Sequence, residues 1–400
     1  MNFRSFCSVA HTCILNATVL AFSSLPVAGQ TFTMLHTQSG NQDGSPQQSY
    51  LLLGESGNLY GTTTSGGASG YGTVFMLDSL RSETVLYEFP GLTSFGIPHG
   101  ILVRHAGHTY GIVQNGGEPG CQNFDCGAVF DLIGGRARIV HKFSPSEAYH
   151  PTGSLVKDAS GNLYGTTWDG GSVNHGTIYE ISGGEERILY NFDGPADGVT
   201  PGFLTIDPSG NLYGVTSFGG SFGHGTVFEL STNENGAWSE QILYSFRGKT
   251  DGGVPSGAPI FDGKGNLYGV TPQGGRNDVG TCRVNGCGVA YKLARNSEGI
   301  WSERVLYTFE ATAEDARQPF PTLVRDKQGT LYGVSIYGGT NLYGTVYKID
   351  HSGVETILHN FTGHFGHLGD GGQPLSGLTI DASGNLYGTS SNGVFKIAPQ

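Results

Sequence analysis

The chain has 400 residues, of which 14% are charged and 67 are Gly, more than twice the usual glycine share of ~7%. Glycine at this level without a collagen period calls for many tight turns and excludes a protein built from long helices. The formal net charge of −12, spread thinly along the chain, supports solubility and argues against nucleic-acid or anionic-membrane partners.

Residues 1–29 read as a signal peptide: Arg4 supplies a positive start, Ile14 to Leu25 a mostly apolar stretch, and Val27-Ala28-Gly29 a small-residue cleavage site. Residues 30–400 then form one domain. Nothing in it approaches ~18 uninterrupted apolar residues, so no membrane span is expected.

The domain begins with Phe32-Thr33-Met34-Leu35-His36, which lines up with Thr356-Ile357-Leu358-His359 far downstream. A motif centred on Gly-Asn-Leu-Tyr-Gly follows, with its Tyr at 60, 110, 164, 213, 268, 332 and 387. Seven copies at spacings of 49 to 64 residues match a blade of four short strands and four turns. In the fourth copy the strands are predicted at Phe203 to Asp207, Leu212 to Thr216, Thr226 to Leu230 and Gln241 to Phe246. Pro208-Ser209-Gly210-Asn211 makes the first hairpin turn. Apolar side chains on both faces of these strands suit a sheet sandwiched between neighbours.

The last copy stops after its third strand, Gly393-Val394-Phe395-Lys396-Ile397. The strand near 32–36 therefore completes it and closes the ring, removing the exposed edge that an open array would leave. The expected fold is all-β: a seven-bladed β-propeller of four-stranded blades.

Four Cys remain after the leader, as Cys121/Cys126 and Cys282/Cys287, at one repeat position three blades apart. A shared zinc site would need the pairs to meet, so two local disulfides of an exported protein are expected. The linkers repeat Asp-Gly-x-x-Pro at Asp197, Asp251 and Asp370, with a copy one residue shorter at Asp43. Each offers too few oxygens for Ca²⁺ and reads as a turn. One linker carries His364, His367 and Asp370, a candidate transition-metal set on a Gly-rich loop that fixes no geometry.

The repeat resembles the GloVer tandem-repeat family, secreted or surface proteins predicted to form propellers. Gly-Asn-Leu-Tyr-Gly stands intact at 57–61, 161–165, 210–214, 265–269 and 384–388; Thr330 replaces Asn in the sixth copy, and the second is reduced to His108-Thr109-Tyr110-Gly111. The resemblance implies no enzymatic role. With no anchor before Gln400, release from the cell is expected, with the periplasm as the alternative location.

Copies differ most in the loops after the second strand. Trp168 and Asp169, Phe218 and Tyr337 precede or abut Gly-Gly pairs; His175, His224 and Tyr343 precede the Gly-Thr that opens the third strand. Variable aromatic tips on a fixed frame point to a binding face for a polysaccharide, peptidoglycan or a protein; drift of loop tips and shielding of neighbouring blades is the competing account. The first strands, read as Gly-Ser-Leu-Val, Gly-Phe-Leu-Thr and Ser-Gly-Leu-Thr, predict a small, apolar channel. No catalytic set and no cofactor motif emerges, although a secreted hydrolase or lyase acting on polysaccharide and a structural surface protein stay open as alternatives.

Overall fold

The structure is a computed structural model that describes residues 30–38, 44, 50–91, 96–121, 125–276, 282, 285–310, 312, 315–363 and 369–398. The candidate leader, Asp43, His364 and His367 lie outside these residues. The described residues form seven antiparallel sheets, each a blade. Blade 4 runs Val199–Ile206, Leu212–Phe218, Thr226–Thr232 and Trp238–Ser245, in that spatial order. Its first strand starts ahead of the expected Phe203 because Val199 and Pro201 already pair with Phe218 and Thr216, before a bulge. Its fourth starts ahead of Gln241 because Trp238 pairs with Thr232. In blade 6 the first strand is split into Ala316–Pro319 and Val324–Arg325.

Thr31–Thr37 is the outer strand of blade 7, paired antiparallel with Gly393–Ala398 from Thr31↔Ala398 to Thr37↔Gly393. The ring is thus closed by its two chain ends.

The core lies between blades rather than within one. Tyr164, Ile178 and Phe192 of blade 3 pack with Leu204, Leu212 and Phe228 of blade 4. A buried Phe directly after six of the seven outer strands meets the third-strand aromatic of the next blade: Phe89–Phe130, Phe143–Tyr179, Phe192–Phe228, Phe246–Tyr291, Phe309–Tyr347 and Phe361–Phe395, with centroids 5.0–5.5 Å apart. Such tilted and edge-on pairs add to the area they bury.

The repeated motif is explained by what surrounds it. In blade 5, Asp262 accepts bonds from the Lys264 and Asn266 backbone, the Asn266 amide and the Tyr268 hydroxyl, clamping the first hairpin. Burial pushes the Asp262 carboxyl up, but these bonds outweigh it and hold the group at about 2. The closing Gly makes room for the third strand: a Cβ on Gly214 would sit 2.5 Å from the Phe228 ring.

Blades are joined by a second recurring device. Gly225, of the Gly-Thr pair, has φ +95°, and a Cβ there would meet the Thr216 carbonyl at 2.3 Å and Pro255, the leading proline of blade 5, at 2.8 Å. The residue before that proline is itself left-handed, at Ile97, His150, Thr200, Val254, Gln318 and Gln373. Its N–H donates to the carbonyl just ahead of the Gly, on Tyr71, Cys126, His175, His224, Cys287 and Tyr343 respectively.

Candidate functional site

One face of the ring carries the second-to-third-strand loops and the linkers; the other carries short hairpins. Among the described residues the exposed aromatics are Trp168, Phe218, Phe222, Tyr337 and Tyr343, each roughly half exposed, and all five lie on the loop face. Val173 and Leu342 join them. Among the described residues the large hydrophobics exposed on the hairpin face are single aliphatics, Leu80, Ile133, Ile300 and Val354. Trp168, Val173, Phe218 and Phe222 belong to adjacent blades 3 and 4, and the Arg247 guanidinium stands 5.3 Å over the Phe222 ring.

The sequence-predicted residues separate into groups. Trp168, Phe218 and Tyr337 stand out into solvent. Asp169 is tied down, its Oδ2 2.8 Å from His150 Nδ1. His175, His224 and Tyr343 lie over the glycines of their own linkers: a Cβ on Gly194, Gly248 or Gly363 would meet those rings at 3.2, 2.4 and 2.3 Å. Tyr71 does the same at Gly91. These rings therefore help to fix the joint, while Tyr343 also keeps 44% of its surface exposed.

Cys126 and Cys287 occupy that joint position in blades 2 and 5. Each is bonded within its loop, Cys121–Cys126 and Cys282–Cys287, with Cα atoms 5.1 and 5.2 Å apart. Asp370, of the candidate metal set, accepts bonds from the Thr362 backbone N–H and His359 Nε2. Asp197 and Asp251 likewise take the Tyr190 and Tyr244 hydroxyls and linker N–H groups. Asp315, unnoticed because Ala replaces the following Gly, does so in the blade 5 linker.

At the centre of the loop face the channel opens into a cavity of about 210 Å³. The expected small, apolar lining is only partly found. The residue after each leading proline supplies the wall: His99, Thr152, Gly202, Ser256, Phe320 and Leu375, one from each of blades 2 to 7. Below them Tyr50 of blade 1 reaches across the ring, its centroid 5.4 Å from Phe203 and 5.9 Å from Phe320. Trp168 and Ser217 complete the mouth. Burial lowers the His99 pKa from its ordinary value and raises that of Tyr50, so both are neutral near pH 7.

Sequence reasoning missed Tyr50, His99 and Phe320. The available signal was the leading proline, after which each copy places a different residue. Tyr50 and His99 come from blades 1 and 2 and Phe320 from blade 6, and only closure of the ring brings Phe320 to the other two.

The family model of the Gloeobacter/Verrucomicrobia repeat matches residues 16–207 and 182–397. No curated protein matches in sequence. Among solved structures, the chain is similar to the extracellular domain of a protein described as a hybrid two-component system from B. thetaiotaomicron, at 8% identity and a TM-score of 0.56, covering 92% of this chain and 39% of that one. It is also similar to a gluconolactonase from Xanthomonas campestris, at 13% identity and a TM-score of 0.45, covering 92% and 89%. At 8% identity the likeness to the extracellular domain is one of fold.

Proposed function

The chain belongs to the Gloeobacter/Verrucomicrobia repeat family, and from that premise we propose that it is an extracellular, non-catalytic propeller that binds polysaccharide on its loop face. The observation that carries the reading is the confinement of all five exposed aromatics, among the described residues, to that face. Single exposed rings are ordinary on a protein surface, but their confinement to one face marks that face as the one that meets a partner. Flat aromatic faces stack well on the C–H faces of sugar rings, and loops held on a rigid frame present them in fixed places.

An export route is supported by the two local disulfides, which persist in oxidising compartments. Binding rather than hydrolysis is supported by the described channel lining, where His99 and Tyr50 are the titratable groups and no carboxylate appears. Glycoside hydrolysis ordinarily uses two carboxylates.

The test is affinity electrophoresis through gels of neutral and acidic polysaccharides, with reducing ends measured in parallel. Retardation of the native protein without released ends is expected. The exposed positions allow Phe218→Ala/Tyr337→Ala/Trp168→Ala to fold normally, and the triple variant should bind at least about tenfold more weakly, about 1.4 kcal/mol. Retardation unchanged in the triple variant overturns the reading, as does release of reducing ends with turnover.

A further inference from the structure

The channel cavity differs from the exposed rings around it. It is small for a ligand pocket, about 210 Å³ against the usual ~300–1,000 Å³, which suits one sugar ring and not a chain lying across it. Its lining is also divided. Blades 2, 3 and 5 contribute His99, Thr152 and Ser256, whereas blades 6 and 7 contribute Phe320 and Leu375. The floor is apolar, with Tyr50 set between Phe203 and Phe320.

A hexopyranose has the matching division, with C–H groups on its faces and hydroxyls around its edge. Hydroxyl and imidazole groups can both give and take hydrogen bonds from such an edge. The described lining holds no Lys, Arg, Asp or Glu, and burial keeps His99 neutral. A carboxylate or phosphate entering here would lose water with no counter-charge to replace it.

Resting on the polysaccharide reading above, we propose that the cavity receives a single neutral hexopyranose unit, edge-on to the His99, Thr152 and Ser256 arc. The unit is the free end of a chain or a free sugar. For a chain end, the loop-face aromatics hold the adjoining sugar units.

The repeat itself supplies the variants for a test. Ser256 occupies the wall position that Phe320 fills in blade 6, and Thr152 the one that Leu375 fills in blade 7, so the backbone accepts large residues there. Ser256→Phe/Thr152→Leu fills the cavity and leaves Phe218 and Tyr337 untouched. Trp168 at the mouth provides a fluorescence signal, with Trp168→Phe as its control.

The native protein is titrated with methyl hexosides, neutral oligosaccharides, D-glucuronate, D-galacturonate and a phenylalanine-ended dipeptide. Saturable binding of neutral hexosides is expected, falling at least tenfold in the filled variant, with no response to the uronates. Binding of oligosaccharides much tighter than hexosides assigns the site to a chain end; equal binding assigns it to a free sugar. Hexoside binding unchanged by filling overturns the proposal, and so does preference for uronates or for the dipeptide. If no hexoside binds while gel retardation still depends on Phe218 and Tyr337, the cavity proposal falls and the loop-face reading stands. If neither occurs, both fall.

Discussion

At the scale of single residues, positions that look alike along the chain meet different demands. The closing Gly of the motif is required by the ring beneath it. In Gly214→Ala the new Cβ would stand 2.5 Å from Phe228 and 2.9 Å from Leu204, both buried. Neither can retreat within a packed joint, so a loss of about 3 kcal/mol is expected in urea unfolding. A variant that unfolds at the native midpoint would show that the rings move aside. The third-strand aromatic beneath the Gly is Tyr in blades 3, 5 and 6 (Tyr179, Tyr291, Tyr347), where blades 1, 2, 4 and 7 have Phe75, Phe130, Phe228 and Phe395. Each of the three hydroxyls is buried without a protein partner. Burying a hydroxyl unbonded is unfavourable. Tyr291→Phe is therefore expected to be neutral or to stabilise by up to about 1 kcal/mol, measured the same way. A clear loss would mean that the hydroxyl is satisfied in solution.

At the scale of the element, the outer strand is where blades are locked together, and one joint departs from the others. Six outer strands are followed directly by the buried Phe that meets the next blade; after Thr31–Thr37 the same place is taken by Gln38, which is 9% exposed. The joint from blade 7 to blade 1 is packed by Leu35, Val394 and Phe75, and His36 Nε2 stands 3.1 Å from the Glu83 carboxylate, as His141 does from Glu186 at the joint from blade 2 to blade 3. Gln38→Phe restores the pattern and should raise stability by about 1 kcal/mol, through added apolar burial, seen as a later thermal midpoint. An unchanged or lower midpoint would show that this joint has no room for the ring. The same elements separate the legible part of the fold from the hidden part. Strand counting exposed the closure because Gly393-Val394-Phe395 lacks a fourth strand and Phe32-Thr33-Met34-Leu35-His36 lacks three. The spacing also located His175, His224 and Tyr343, but spacing carries no direction, so it could not reveal that their rings cover linker glycines. The channel wall was hidden for another reason: His99, Thr152, Ser256, Phe320 and Leu375 share a place in the repeat and no chemistry, and they become neighbours only across the closed ring.

At the scale of the whole molecule, the repeated joints sum into a dependence on pH. Three successive joints bury a linker Asp beside a Glu from the next outer strand: Asp197 with Glu240, Asp251 with Glu303 and Asp315 with Glu355. Burial first, and the neighbouring carboxylate second, push Glu240 and Glu303 up to about 7. In the tightest pair the Tyr307 hydroxyl reaches both carboxyls, at 3.1 and 3.4 Å, and burial lifts Glu355 well above the carboxylate range. Above ~4.3, the ordinary Glu value, the unfolded chain gives up protons that the ring retains. The stabilising contribution of these groups is therefore complete below that pH and is lost as pH rises through about 7. The hairpin Asp residues act in the opposite direction. Burial raises Asp262, but its hydrogen bonds prevail and hold it at about 2, and Asp158 and Asp381 are lowered in the same way. Their contribution is present above ~3.9 and lost on further acidification. Burial holds His99 and His359 below their ordinary value, so these two also favour folding as pH rises toward ~6.5 and oppose the Glu set there. The ring is most stable in mild acid, with a thermal midpoint at pH 8 lower than its maximum by roughly 5 °C. The Glu residues are only partly buried, which solvent screening limits to a shift of that modest size. Thermal unfolding followed from pH 4 to 8 checks the slope, and Glu240→Gln/Glu303→Gln/Glu355→Gln checks its source. The triple variant should lose the fall in midpoint between pH ~6.5 and 8 and keep only a fall on the acid side, where His99 and His359 are held below their ordinary value; a fall at pH 8 equal to that of the native protein would place the pH dependence elsewhere in the ring.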